Sequence, residues 1–206
     1  LQIFKFTPQE KIYEKKISYN VEKPKINFVL ISISYCFYGF GYVGFGTFIS
    51  TLARTTPGLE ITEPYVWLLV GLSGVPSVFF WNWFGDKIGN DIALFLACLI
   101  MGLGILFSGI SVNMVEILVS CVLFGITFVP ITAMTLLEGQ KRFLGSFIVS
   151  TAILTSCFSI GQMIGPYITG FITDLTGSFK MSMYISGFTL ISGSFLMINP
   201  KRFTFN

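Results

Sequence analysis

Three tyrosines in one apolar stretch, Tyr35, Tyr38 and Tyr42, stand at i, i+3 and i+7, the spacing that puts side chains on one face of a helix. A row of phenols can stack a solute and hydrogen-bond it. It can equally pack between helices with each hydroxyl taken by a neighbour. A second row, Thr151, Thr155, Ser159 and Gln162, has spacings of 4, 4 and 3 and leads into Gly165-Pro166. Hydroxyls and a primary amide in hydrocarbon need partners, so this row should face a bundle interior or a water-filled cavity. Solute binding is one use for it, with Gln162 as the leading residue. The other is helix-to-helix hydrogen bonding, about 0.6 kcal/mol per contact. Glu116 shares a helical face with Ser120 and Thr127, ahead of Pro130. A carboxylate within a membrane is a candidate for proton coupling, whereas one this close to the end of its apolar stretch can be simply hydrated.

Neither row is suited to breaking bonds. The chain contains no histidine, which removes Ser-His and Cys-His nucleophile activation, His-ligated metals and imidazole pH switches together. No HExxH pattern is present, and Gly85-Asp86 sits between apolar stretches with no second intramembrane aspartate to form a dyad. An intramembrane enzyme is therefore the weaker reading, and neither a metal nor a cofactor is expected. Cys36, Cys98, Cys121 and Cys157 all fall inside apolar stretches, where free thiols are expected. The net charge is only +3, and the basic residues cluster at the ends of apolar stretches, so nucleic acid is not an expected partner.

The elements that position these rows are membrane spans. Of the 206 residues 53% are hydrophobic and 11% charged, and the mean hydropathy is +0.77, too little polar surface to cover a water-soluble globule. In a bilayer every backbone polar group must be satisfied internally, so spans are helices of about 20 apolar residues or strands of a closed barrel. The apolar stretches here have helical length. Six transmembrane helices are expected, at about 26–53, 65–84, 91–110, 114–137, 143–172 and 181–198, joined by short turns and therefore antiparallel to their neighbours in sequence. Residues 1–25 read as a lysine-rich tail or linker closed by Pro24, and 199–206 as a second polar tail. The first apolar stretch is too long for a cleaved secretory signal. The lysines of residues 1–25 have a solvated role or an attraction to an anionic leaflet.

Basic residues set the orientation, because the cytoplasmic side retains them. One side collects Lys5, Lys11, Lys15, Lys16, Lys23, Lys25, Lys87, Lys141, Arg142, Lys201 and Arg202, leaving only Arg54 and Lys180 opposite. Both termini are thus expected in the cytoplasm, and the protein in a plasma (inner) membrane.

Between the second and third stretches, Asn82-Trp83-Phe84-Gly85-Asp86-Lys87-Ile88-Gly89-Asn90 resembles the signature loop of the major facilitator superfamily, G-x-x-x-D-(R/K)-x-G-(R/K)-(R/K). Asp86, Lys87 and Gly89 match; Asn82 replaces the first glycine, and Asn90 and Asp91 replace the basic pair. With Tyr38-Gly39-Phe40-Gly41-Tyr42 and Gly161-Gln162-Met163-Ile164-Gly165-Pro166, residues 26–198 resemble the C-terminal half of a bacterial YbfB/YjiJ-like permease. The resemblance implies an all-α, twelve-helix transporter of a small solute working by alternating access, of which this chain supplies spans seven to twelve. It also implies an N-terminal six-helix half as partner, and an Asp86 that braces that half. The start at Leu1 instead of Met fits a fragment or processed product. An inert or split permease needing the other half is the alternative function.

Overall fold

The computed structural model describes residues 26–143 and 145–198, all helix, turn or coil. The lysine-rich segment before Ile26, the segment after Ile198, and the basic residues in both lie outside the described residues.

Six α-helices follow one another: α1 (Ile26–Thr55), α2 (Glu63–Ile88), α3 (Asn90–Ile110), α4 (Met114–Arg142), α5 (Phe147–Thr176) and α6 (Phe179–Ser194). Short 3-10 turns, Glu60–Thr62 and Phe195–Met197, precede α2 and continue α6. Five of the helices, α1 to α5, are long and apolar enough to cross a membrane; α6 has 16 residues. The expected boundaries at Ile26, Ile110 and Met114 coincide with helix ends. The expected start of the fifth stretch at Phe143 moves to Phe147, because Phe143 packs its ring 4.7 Å from Phe28 instead of entering a helix.

Local chemistry explains where helices begin. Asn113, Ser146 and Ser178 each precede a helix in extended conformation and accept a backbone N–H from its first turn: Glu116 at 3.1 Å, Ile148 at 3.3 Å and Lys180 at 3.3 Å. Glu116 in turn accepts from the Val112 N–H at 2.7 Å, a reciprocal pairing that seals the start of α4. At the other end of a helix, Gly177 turns the chain with φ +66 and donates its N–H to Thr173.

Helix α1 is the centre of the bundle. It packs against α5 and α6, while α3 packs between α4 and α6, and α2 packs on α4. Its approach to α5 is close enough to touch backbone: a Cβ added at Gly161 would collide with the Cys36 carbonyl and lie 2.8 Å from the Phe40 nitrogen. Only a residue lacking Cβ allows that crossing. The buried core runs from Phe28, Ile31 and Phe45 of α1 through Leu94 and Met101 of α3 to Phe124 of α4. All four cysteines are free thiols, as expected.

Charge is confined to the ends. Every described Asp, Glu, Lys or Arg within an α-helix lies among the first or last five residues of that helix. At one such end Arg142 and Glu138, both buried, pair at 3.2 Å, and Arg142 also donates to the Met197 carbonyl at 2.6 Å. This clamps the end of α4 to the 3-10 turn that continues α6.

Candidate functional site

The tyrosine row does share one face of α1, and it is the spine of an aromatic wall. Tyr35 and Tyr38 stack with centroids 5.6 Å apart and Tyr38 and Tyr42 at 5.7 Å. Phe158 of α5 lies 4.8 Å from Tyr35, 5.5 Å from Tyr38 and 6.1 Å from Tyr42. On the α4 side Tyr42 meets Phe124 at 5.7 Å and Phe128 at 6.2 Å. Offset stacks at these separations each add roughly 0.5–1.5 kcal/mol beyond the area buried. Three helices are thereby held by one ring cluster.

Depth follows from helix geometry. At 1.5 Å per residue, Tyr38 to Tyr42, Phe128 and Gln162 each lie about 20 Å from the start of a helix roughly 45 Å long. The cluster is at the middle of the spans, where the bilayer is driest.

The members of the row differ in what their hydroxyls do. Tyr38 is buried and donates to the Phe128 carbonyl at 2.7 Å, with the Thr132 hydroxyl 3.4 Å away. Tyr35 is equally buried, beside Thr132. Tyr42 is half-buried. Along α5, Thr151 is half-buried with its hydroxyl enclosed and without a partner among the described residues. Thr155 and Ser159 are exposed, Ser159 donating to the Thr155 carbonyl at 2.9 Å. Gln162 is half-buried, one turn before the helix-interior Pro166. Phe158 thus carries the ring cluster onto α5, the helix of the polar row, and of the three tyrosines Tyr42 is the least buried.

Sequence reasoning did not include Phe124, Phe128, Thr132 or Phe158, because one apolar stretch cannot show which residues of another it faces. Nor did it include Trp81. Pro130 has no N–H, so the carbonyl four residues earlier, Ile126, loses its helical donor. The Trp81 indole N–H fills that place, donating to the Ile126 oxygen at 2.7 Å from the neighbouring α2. The signal was present in part: a proline within a span announces a carbonyl in need of a donor.

Glu116 is in the first turn of α4, in the capping arrangement already described, with Ser120 donating to its carbonyl at 3.1 Å. In the loop with the superfamily pattern, α2 continues through Asp86 and Lys87, both exposed, and Gly89 forms the whole connection to α3. Gly89 has φ +97 and ψ +136, a conformation that side chains disfavour. Its N–H closes α2 on Gly85 at 2.8 Å and its carbonyl opens α3 on Ala93 at 3.0 Å. Gly89 is thus the N-cap of α3, and Asn90 and Asp91 form its first helical turn. The Lys87 ammonium sits 3.9 Å over the Trp83 ring, a cation–π contact that holds the side chain at the surface. Among the described residues no group of three or more Cys, Asp or Glu is arranged to hold a metal.

The model of the family described as "Uncharacterised MFS-type transporter YbfB" matches residues 3–198. The chain belongs to this family of MFS-type transporters. Among curated proteins it is similar to the uncharacterized transporter YybO of Bacillus subtilis, 24% identical over 74% of the chain and 40% of that protein. It is also similar to human monocarboxylate transporter 11, 36% identical over 28% of the chain and 12% of that protein. Among solved structures, the crystal structure of the E. coli fucose:proton symporter FucP superposes with a TM-score of 0.66 at 15% identity, over 83% of this chain and 42% of that one. That likeness concerns the fold. The chain spans about two fifths of YybO and a smaller part of monocarboxylate transporter 11. The family and fold are those of membrane-embedded MFS transporters, proteins that carry small solutes across a bilayer and are not enzymes.

Proposed function

We propose that this chain is the C-terminal half of a secondary transporter and forms one wall of a solute cavity at the bilayer midplane, exposed alternately to the two sides. The observation that carries the reading is uneven burial. In the most apolar part of each span, 50–56% of residues are buried in α1, α3 and α4, against 22% in α2 and 17% in α5. Helices α2 and α5 each lack a neighbour on one side, and a second six-helix half is the element that would cover them. The α5 row of Thr155, Ser159 and Gln162 lies on the helix this half would meet.

In this reading Tyr42, Phe128 and Phe158 present ring faces to the solute, and Thr155, Ser159 and Gln162 present hydroxyls and an amide. Tyr35, Tyr38 and Thr151 support them from behind. The wall carries no fixed charge, so any counter-charge for an ionic solute comes from the opposite half. Asp86, Lys87 and Gly89 form the cytoplasmic signature turn, with Asp86 exposed toward the missing half. Helix α6 with its 3-10 turn serves as the sixth span, and both termini are cytoplasmic in a plasma membrane. Lys87, Lys141 and Arg142 then lie inside and Arg54 and Lys180 outside.

The test is solute flux through the complete carrier. Gln162→Ala and Phe158→Ala should each lower uptake by about tenfold or more, through lost binding worth about 1.4 kcal/mol, at unchanged membrane abundance. Normal flux in both variants would sink the assignment of this wall. Expressing this chain with and without an N-terminal half separates the transporter from an inert half, since flux should require both.

A further inference from the structure

Away from the aromatic wall, on the opposite flank of the bundle, α3, α4 and α6 enclose an open groove of about 790 Å³. Its walls are apolar: Leu103 and Phe107 of α3, Val119 and Leu123 of α4, and Tyr184 and Phe188 of α6. Leu103, Val119 and Phe188 are exposed. The groove lies in the half of the bundle that holds the C-terminus of α3 and the N-termini of α4 and α6, and those termini border one end of it, its mouth.

Two charges flank the mouth. Lys180 precedes Tyr184 and Phe188 at spacings of 4 and 4, which puts all three on one face of α6. The Lys180 backbone packs against Gly109, next to Ile110 of the groove lining. Across the mouth, Glu116 precedes Val119 and Leu123 at spacings of 3 and 4, again on one face. Lys180 is exposed and makes no ion pair with a described residue. Glu116 uses one carboxylate oxygen to accept from Val112 and keeps the other. The pair is not closed on itself, so a cation and an anion stand on opposite rims of an apolar slot.

We infer that this groove is a binding site for a zwitterionic phospholipid, with an acyl chain between α3, α4 and α6, the phosphate on Lys180 and the head-group ammonium on Glu116. The order of chemistry from mouth to floor, paired opposite charges, then a phenol, then aliphatic and aromatic surface, matches that of such a lipid. Tyr184, whose hydroxyl donates to the Gly109 carbonyl at 3.3 Å, sits at the level where a lipid changes from polar to apolar. An anionic lipid would gain from Lys180 and be repelled by Glu116. The inference rests on the membrane-spanning bundle alone and is independent of the transport reading.

Native mass spectrometry of the full chain tests it, after incubation in detergent with equal amounts of phosphatidylethanolamine and phosphatidylglycerol of the same acyl chains. One retained phosphatidylethanolamine is expected, in preference to phosphatidylglycerol. Lys180→Gln, a change at an exposed side chain, should lower that retention roughly fivefold. Leu103→Trp, which fills the slot, should abolish it. Equal retention of the two lipids, retention unchanged in both variants, or a dimer of the chain that holds no lipid would each overturn the inference.

Discussion

The indole N–H of Trp81 donates to the Ile126 carbonyl that Pro130 strips of its helical partner. An unpaired carbonyl within a span costs about 1–3 kcal/mol, so Trp81→Phe should lower the thermal midpoint of the purified chain. The cause is separable by a second substitution. Pro130→Ala restores an N–H to α4, and in that background Trp81→Phe should cost much less; an equal cost in both backgrounds would mean that ring packing, not the hydrogen bond, is responsible. Half of this arrangement was legible in the sequence, since Pro130 alone implies a freed carbonyl. The donor was not, because nothing in the order of residues says that α2 lies on α4. The same division holds for Tyr35, Tyr38 and Tyr42. Their common face follows from spacing, whereas the commitment of the Tyr38 hydroxyl to Phe128, and the wedge of Phe158 between the rings, depend on how α1 meets α4 and α5.

At the scale of elements, α1 and α5 approach until backbone touches backbone, and Gly161 is where they do so. Gly161→Ala should destabilise by roughly 1–3 kcal/mol, the usual cost of overpacking, because the colliding atoms are carbonyl and amide groups that cannot rotate away. Gly71, exposed on α2 with nothing within 4 Å of an added Cβ, provides the contrast. There Gly71→Ala should be neutral or stabilising by about 0.5–1 kcal/mol, through reduced backbone freedom. Thermal midpoints of the two variants check this directly, and a tolerated Gly161→Ala would show that the crossing is looser than described. Helix positions were legible because apolar length and turn residues punctuate the chain. Their ends were less so: the expected break after Leu137 passes over Glu138 to Arg142, which stay helical with Arg142 held by its buried ion pair to Glu138 and by the Met197 carbonyl. The tightness of the connection at Gly89 was not legible either, because a glycine with φ +97 ends one helix and begins the next without a side-chain cap.

For the whole molecule, the number of spans and the sidedness are one question, since each span moves the chain to the opposite face. Helix α6 decides the parity. It has 16 helical residues, and the 3-10 turn carries it on to Met197. At about 1.5 Å per residue, with a steeper rise in the turn, this reaches close to 30 Å, the thickness of the hydrocarbon core. The clamp from Arg142 to the Met197 carbonyl puts the end of α6 level with the end of α4. Since α4 is long and apolar enough to cross a membrane, we propose that α6, ending at the same level, crosses with it. Single cysteines at Gly58, Lys87, Ser178 and Ile198, in a chain whose four native cysteines are replaced, would be treated in intact cells with a thiol reagent that cannot cross the membrane. Gly58→Cys and Ser178→Cys should be labelled, while Lys87→Cys and Ile198→Cys should react only after permeabilisation. Labelling of Ile198→Cys together with Gly58→Cys would leave α6 short of a full crossing and the bundle with five spans. A complete reversal of the pattern would keep six spans and place the basic turns outside, against the distribution of Lys87, Lys141 and Arg142.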